Sequence, residues 1–280
     1  MKKLLSILAG SFLMAGMIAC DIIEEPYLKD NTGGQGGDPG ETPVVVKNVL
    51  LEDYTGVQCV NCPAAGELAL QIQEQYGHQV IVLGVHAGGM SNPQPGNFPD
   101  FLTDEGTTWY THFGFDTNPV GTINRKLNGG SVLFNVGDWT EAVAITAAEE
   151  AMIDMTPTVE YNDANRTLKV NIASKALVEL PDTYSLVVCI MEDSIIGKQK
   201  AMVPGGIIND YMHRHVFRGT MNGAWGEEIN TEAIAPEDVI TKEYTTTLNS
   251  DYNADQCYII AYVSNSETKE ILQVVEKKIK

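Results

Sequence analysis

Two cysteines three residues apart, Cys59 and Cys62, are the residues whose types and spacing best suit a chemical reaction. Such a pair can close and open as a disulfide, and the form of a cysteine that attacks is the thiolate. Pro63 follows directly, and proline is tolerated in the first turn of a helix. The motif therefore predicts a helix that begins beside the dithiol, with its positive N-terminal end stabilising a thiolate there.

Strand and helix patterns surround this dithiol. Residues 44–54 are rich in Val and Leu, as a buried strand is, and apolar residues at helical spacing follow Cys62 as far as Gly77. The order of elements is that of the thioredoxin fold and predicts a thioredoxin-like α/β domain over residues 44–155. After the first helix we expect a strand (79–86), a short helix (104–113), two hairpin strands (120–125 and 131–135) and a helix (138–153).

Three further residues resemble functional positions of thioredoxins. Asp53 lies six residues before Cys59, where thioredoxins carry a buried acid that moves protons for the inner cysteine. Pro119 corresponds to the cis-proline that faces the dithiol, and cis peptide bonds are almost confined to proline. Asn118 is then the residue whose backbone touches an incoming peptide. The resemblance implies that Cys59 attacks and Cys62 resolves, that Asp53 assists proton transfer, and that Pro119 positions the substrate.

Other interpretations of the dithiol differ in strength. A zinc site needs further ligands, and no second pair of closely spaced cysteines or histidines lies nearby in the sequence. Haem attachment needs a histidine where Pro63 stands. We therefore expect no metal and no cofactor at Cys59 and Cys62. A structural disulfide, formed on export and never turned over, stays open as an alternative.

The second half of the chain has a different pattern. From Thr156 onward, apolar and polar residues alternate between turn sequences, and no long helical pattern occurs. The pattern predicts a mostly antiparallel, immunoglobulin-like β-sandwich over residues 156–280, with the boundary at about Met155. Its predicted strands are 158–161, 167–173, 184–191, 244–248, 257–264 and 271–277.

One segment interrupts that pattern, Val203 to Ile229. His213 and His215 would point to the same face of a strand, which makes them weak candidates for metal ligands. The favoured alternative is a structural turn held by hydrogen bonds from Arg214 and Arg218 to carboxylates.

Other chemically notable residues receive structural interpretations. His86 ends a predicted buried strand and His112 lies on a short helix, where histidines are mostly hydrogen-bonded parts of the fold. Cys189 and Cys257 both lie in predicted strands. They would form a disulfide only as close neighbours, and buried free thiols are the favoured interpretation.

The N-terminus predicts export and a lipid anchor. Lys2 and Lys3 precede an apolar run that is shorter than the about 20 residues of a transmembrane helix, as in a signal peptide over residues 1–19. The run ends in Met-Ile-Ala-Cys, which resembles the lipobox of bacterial lipoproteins and implies diacylglycerol on the sulfur of Cys20. Residues 20–43 then provide a flexible tether, which is rich in glycine in its second half.

The charge of the chain excludes some partners. It has 18 Lys and Arg against 37 Asp and Glu, a net charge of −19. So large an excess of negative charge repels phosphates, which excludes nucleic acids and anionic lipid surfaces as partners. The acidic residues are scattered, as on a solvated surface.

Several of these features together resemble one family. The lipobox, residues 49–56 before the dithiol, the Asn118-Pro119 region that ends in Ile-Asn-Arg, and residues 211–228 are similar to the outer-membrane-protein-28-related lipoproteins of Bacteroidetes-type bacteria. The resemblance implies an outer-membrane or surface lipoprotein with thioredoxin-like and sandwich domains. Suggested roles for such proteins include adhesion and receptor-like binding.

Two classes of function follow. The first is a lipid-anchored thiol–disulfide oxidoreductase of the cell envelope, which acts on exported proteins with cysteines or on a redox partner. The second is a surface binding or adhesion lipoprotein whose dithiol is a structural disulfide, and in it the sandwich domain with residues 203–229 makes the contact. In both, the membrane is reached through the N-terminal lipid at the outer membrane.

Overall fold

The computed structural model of the chain describes residues 44–93 and 95–280. The predicted signal peptide (1–19) and tether (20–43), with the predicted lipidation site Cys20, lie outside the described residues. In the described part the helices are α1 (Cys62–Tyr76), α2 (Asp104–His112) and α3 (Trp139–Ala147). The strands are β1 (Val49–Thr55), β2 (Val80–His86), β3 (Val120–Ile123), β4 (Ile153–Asn162), β5 (Thr167–Ala176), β6 (Tyr184–Glu192), β7 (Ile195–Lys200), β8 (Ile207–His213), β9 (Val216–Thr220), β10 (Glu227–Glu228), β11 (Val239–Thr247), β12 (Cys257–Asn265) and β13 (Ile271–Lys278).

One large mixed sheet contains strands from both halves of the sequence, in the order β13-β12-β6-β9-β2-β1-β3, with β10 against β6. β1 and β2 pair in parallel and are buried along almost their whole length, because both are largely apolar runs. β3 pairs antiparallel with β1. β9 joins the two halves, since it pairs antiparallel with β6 and meets β2 in parallel at Gly84 and Val216.

The predicted fold class, a thioredoxin-like α/β domain followed by an immunoglobulin-like β-sandwich, is wrong. Strands predicted for two separate folds lie in one sheet, and residues Val45–Lys280 form one compact unit. At the junction the Gly84 amide donates to the carbonyl oxygen of His215 at 2.7 Å. A Cβ atom on residue 84 would stand 3.3 Å from that oxygen, so glycine permits the close approach. Local patterns predict where strands occur, but they do not predict which strands become neighbours.

Three apolar clusters cover the two faces of the large sheet. On one face, α1 and α3 pack against β1 to β3 around Trp139. Farther along, the small sheet β11-β5-β4 packs on β6 and β12 around Ile172. On the opposite face a single cluster includes Leu83 of β2, Val187 of β6 and Trp109 of α2, and so extends across both halves. This continuous cluster is a further reason why the two halves do not form separate cores.

β7 and β8 form a hairpin outside both of these sheets. It begins soon after β6 and ends just before β9, the strand that borders β2. The hairpin therefore starts and ends beside the N-terminal part of the sheet, where the dithiol lies.

Candidate functional site

The dithiol lies between the end of β1 and the first residue of α1. Cys59 and Cys62 form a disulfide with their Cα atoms 5.4 Å apart, and Pro63 occupies the first turn of the helix as predicted. Both cysteines are almost fully buried, with exposed fractions of 3% and 4%. A partner thiol therefore reaches these sulfurs only after something that covers them moves.

Gln199 of β7 holds the hairpin over the dithiol. Its side-chain amide nitrogen donates to the carbonyl oxygens of Cys59 at 2.9 Å and Gly56 at 3.1 Å. Next to it, the Lys200 amide donates to the carbonyl oxygen of Val57 at 2.9 Å. Sequence reasoning missed Gln199, because nothing in a polar strand residue 140 positions away indicates this contact.

Residues 88–93 hold the same turn from another side. The Gln58 amide donates to the carbonyl oxygen of Met90 at 2.8 Å. Gly56 is packed so closely here that a Cβ atom would stand 2.5 Å from that oxygen, so any larger residue would displace the loop. The long connection after β2 thus contacts the turn that carries Cys59.

Asp53 of β1 is the acid that the sequence placed near the dithiol. The residue is 5% exposed, and burial raises the pKa of its carboxyl group to about 7. The Oδ1 atom has no hydrogen-bond partner among the described residues. Asp53 and Cys62 line one cavity of about 50 Å³. A carboxyl group with a pKa near neutrality is suited to give a proton to a sulfur or to take one from it.

Two buried histidines line the same cavity, His86 of β2 and His213 of β8. Their ring centroids are 5.9 Å apart, and Phe101 packs edge-on against both rings. Burial lowers the pKa of His86 to about 3, with His213 and Arg218 acting in the same direction, and burial lowers the pKa of His213 to about 4. Both imidazoles are therefore neutral at physiological pH. The tertiary structure, and not the sequence pattern, brings them beside Cys62.

Asn118 and Pro119 precede β3, and the peptide bond between them is cis. The Asn118 side chain donates to the carbonyl oxygens of Thr55 at 2.7 Å and Ala87 at 3.2 Å, and accepts from the Tyr110 hydroxyl at 3.1 Å. It therefore ties the ends of β1 and β2 to α2. The predicted contact of Asn118 and Pro119 with a substrate stays a prediction.

The segment Val203 to Ile229 does not place His213 and His215 on one strand. β8 ends at His213, and His215 lies before β9 with a φ of 54°. His215 instead donates its amide to Asp193 at 2.9 Å, and Arg214 lies 3.8 Å from the same carboxylate. Within residues 44–93 and 95–280, no group of three His, Cys, Asp or Glu side chains is arranged to hold a metal ion.

Glu52 and Asp53 are adjacent carboxylates of β1 with different surroundings. Glu52 points to the opposite face of β1 from Asp53 and forms a fully buried ion pair with Arg125, at 2.6 and 2.9 Å. Thr122 donates to the same carboxylate at 2.5 Å, and the Arg125 guanidinium lies 4.7 Å from the centroid of the Trp109 ring. The charges of Glu52 and Arg125 therefore offset each other. Asp53, in contrast, is a carboxyl group of β1 without an ion-pair partner among the described residues.

The other two cysteines of the described residues, Cys189 and Cys257, are buried free thiols, as favoured from the sequence. Cys189 lies opposite Ile260, whereas Cys257 lies opposite Glu192. Cys189 packs in the cluster with α2 and Cys257 in the cluster on the other face. They are therefore separated by the sheet and do not form a disulfide.

Comparison with known proteins gives the family. A family model described as outer membrane protein Omp28 matches residues 106–280, more than half of the chain. The chain belongs to the Omp28 family. The predicted resemblance is confirmed at this level, and membership shows a lipid-anchored protein of the cell envelope, located at the outer membrane. The match begins within α2 and extends to residue 280, so it does not include Cys59 and Cys62.

Solved structures show a related fold. HBP35 of Porphyromonas gingivalis matches with a TM-score of 0.64 and 16% identity, over 84% of this chain and 76% of that one, which shows a shared fold. A domain of the outer membrane lipoprotein Omp28 from Porphyromonas gingivalis is 25% identical over 46% of this chain and 89% of that domain, with a TM-score of 0.33. No curated protein matches the chain. None of the helices in the described residues is both long and apolar enough to cross a membrane.

Proposed function

We propose that this lipoprotein oxidises cysteine pairs of exported proteins at the outer membrane through its Cys59–Cys62 disulfide. The observation that carries the proposal is the position of Asp53, whose carboxyl group lines the same cavity as Cys62 and has a pKa near neutrality. A merely structural disulfide has no need of a buried, unpaired acid beside it. Such a group is suited to the proton step that thiol–disulfide exchange requires.

The reaction starts from the disulfide. A substrate thiolate attacks the Cys59 sulfur, a mixed disulfide forms, and the Cys59–Cys62 bond breaks. Cys62 leaves as a thiolate at the first turn of α1, where the helix dipole stabilises it, and takes a proton from the Asp53 carboxyl. The second substrate thiolate then attacks the substrate sulfur of the mixed disulfide, which closes the substrate disulfide, breaks the bond to Cys59 and releases Cys59 as a thiolate.

Two electrons pass in this way from the substrate dithiol to the cysteine pair. Oxidation of the pair by a second disulfide-bearing protein, the redox partner, regenerates the starting state. Because Cys59 is covered, we expect the substrate to bind where the β7–β8 hairpin moves aside, which breaks the contact of Gln199 with the Cys59 carbonyl. The substrate thiolate thus reaches the Cys59 sulfur through a local opening of the structure and not through a permanently open cleft.

The test uses the full-length lipoprotein in detergent micelles with a reduced, unfolded polypeptide that bears two cysteines. We expect Cys59→Ser to abolish substrate oxidation. When the same polypeptide is supplied with its two cysteines joined as a disulfide, the free Cys59 thiolate of Cys62→Ser should attack that disulfide, release one substrate thiolate and stay joined to the other sulfur as a mixed disulfide. Cys257→Ala, a change at a buried thiol that does not line the cavity, should leave the rate of substrate oxidation unchanged. An absence of oxidation together with a reduction potential below about −300 mV would overturn the proposal.

A second function is favoured by the near-complete burial of both sulfurs. In it the chain is a surface binding or adhesion lipoprotein, and the disulfide only closes the turn before α1. Residues 203–229, which include β8 and β9, make the contact with the ligand. This function predicts that Cys59→Ser leaves ligand binding unchanged, whereas substitutions in residues 203–229 weaken it.

A further inference from the structure

The cavity beside Cys62 contains more polar atoms than the disulfide chemistry uses. Asp53 Oδ1, His86 Nδ1 and His213 Nε2 are all buried and have no hydrogen-bond partner among the described residues. All three residues line the same cavity. Buried polar atoms are nearly always hydrogen-bonded, and an unpaired one costs about 1–3 kcal/mol. Three such atoms around one space indicate that something polar binds there.

The size of the cavity indicates what that is. One water molecule needs about 10–15 Å³ of such volume and two to four polar partners. The cavity holds about 50 Å³, enough for a small water cluster and too little for an organic ligand. The three unpaired atoms supply the partners, from β1, β2 and β8.

Tyr211 connects this cluster with the surface. Its ring centroid lies 4.9 Å from that of His213, and its hydroxyl oxygen lies beside Gly66 of α1, 3.5 Å from where a Cβ atom would stand. The Tyr211 side chain is half-buried, whereas His213 is 3% exposed. The other charged or titratable groups that line the cavity are Cys62 and Glu67 of α1, and Arg214 and His215 after β8.

We propose that His213 and His86 hold an ordered water cluster that solvates the Asp53 carboxylate and connects it with solvent. His213 is thus a positioning residue for the proton step at Cys62. A neutral imidazole suits this role, since one ring nitrogen accepts a hydrogen bond while the other donates one. The proton that Asp53 gives to Cys62 is replaced from solvent through this cluster. The assignment of a role in exchange rests on the proposed function, but the water site itself does not.

The test measures the ionisation of Asp53 in the oxidised full-length protein. Aspartate labelled with carbon-13 at the carboxyl group is incorporated, the Asp53 signal is assigned by its loss in Asp53→Asn, and its chemical shift is followed against pH. His213→Phe removes both ring nitrogens and retains an aromatic ring beside Phe101. In this variant we expect the midpoint of the Asp53 titration to rise by about one pH unit or more, because the carboxylate loses solvation. A rise of about one unit is a roughly tenfold fall in the ratio of ionised to protonated Asp53 at a given pH.

Two further variants separate the role from mere packing. His213→Gln retains a donor and an acceptor and should restore most of the wild-type midpoint. His112→Phe, at an exposed histidine of α2, should leave it unchanged. If His213→Phe does not fold, His86→Phe reports on the same cluster from β2 and should shift the midpoint in the same direction. An unchanged midpoint in a folded His213→Phe or His86→Phe protein overturns the proposal.

The outcomes distinguish this inference from the proposed function. A shifted midpoint in a protein that oxidises no substrate supports the water site and removes only its role in exchange. An unchanged midpoint in a protein that does oxidise substrate supports the proposed function and shows that His213 does not position Asp53 for it.

Discussion

Gln199 of β7 donates a hydrogen bond to the carbonyl oxygen of Cys59 at 2.9 Å, across 140 residues of chain. The same amide nitrogen bonds Gly56, so one side chain holds both ends of the turn that carries the first cysteine. This contact couples the exposure of Cys59 to the position of the β7–β8 hairpin.

Gln199→Ala should therefore speed the reduction of the disulfide by dithiothreitol. The change removes the donor to the buried Cys59 carbonyl oxygen and one of the two donors to that of Gly56, which lowers the free energy of local opening by about 1–3 kcal/mol and raises the reduction rate about tenfold. The rate is measured on the full-length protein by following free thiols at Cys59 and Cys62. Asn209→Ala, an exposed change on β8, serves as the control and should not alter the rate. Equal rates for both variants would show that the hairpin does not control access.

Glu52→Ala should strongly destabilise the fold. It leaves the Arg125 guanidinium buried without its counter-ion, and breaking a buried pair in this way costs about 3–5 kcal/mol. Urea unfolding measures the loss. Lys175→Ala removes the largely exposed pair with Glu237 and should cost at most about 1 kcal/mol. If the two variants lose the same free energy of unfolding, the packing of Arg125 against Trp109 stabilises this region and the ion pair does not.

Asp53→Asn should make the protein more stable at alkaline pH and less dependent on pH. The folded-state pKa of Asp53, about 7, is above the unfolded value of 3.8, so the folded state binds the extra proton between these values. The stability from the neutral carboxyl is complete below about pH 4 and is lost as the pH rises through about 7, by up to about 4 kcal/mol. The Asn side chain does not ionise, so the Asp53→Asn protein does not lose this stability as the pH rises.

The measurement is urea unfolding of both proteins at about pH 5 and about pH 8. Glu276, whose pKa burial beside Asp193 raises to about 7, is present in both proteins and cancels in the comparison. Parallel pH dependence in the two proteins would contradict a buried, neutral Asp53.

Cys189 and Cys257 should resist alkylation by iodoacetamide in the folded protein. Neither is exposed, and burial raises the pKa of both thiols, that of Cys257 to about 12, so little thiolate forms. Peptide mass spectrometry should find both modified only after unfolding in urea, with the Cys59–Cys62 disulfide unmodified in the absence of reductant. Modification of Cys257 under native conditions would indicate that its strand opens locally.

Local sequence was enough to predict several strands of the C-terminal half, but not β7, β8, β9 or β10. β5 alternates buried and partly exposed residues with the two-residue period of a strand, whereas β6 and β12 are largely apolar runs buried on both faces. All three, with β13, lie where the sequence indicated strands. The helix after Cys62 was predictable for a similar reason, since Pro63 and the helical spacing up to Gly77 act within the element itself.

The fold class was not predictable in this way. The period of a strand indicates which face is buried but not which strand lies beside it, because neighbours are chosen by burial across distant residues. β9 shows this, since Val216 meets Gly84 and joins two halves that the change of pattern at Met155 had separated. The predicted boundary followed a real change in pattern, but the sheet continues across it.

The sequence by itself determined the dithiol, its place before a helix and Asp53 six residues ahead of it, because these are relations within one short stretch of chain. Only the tertiary structure decided what surrounds the dithiol. His213 and Gln199 come to Cys62 and Cys59 from a hairpin more than 130 residues later, since a hairpin that joins two strands of the sheet must pack where those strands end. The chemistry available to the dithiol depends on these distant side chains.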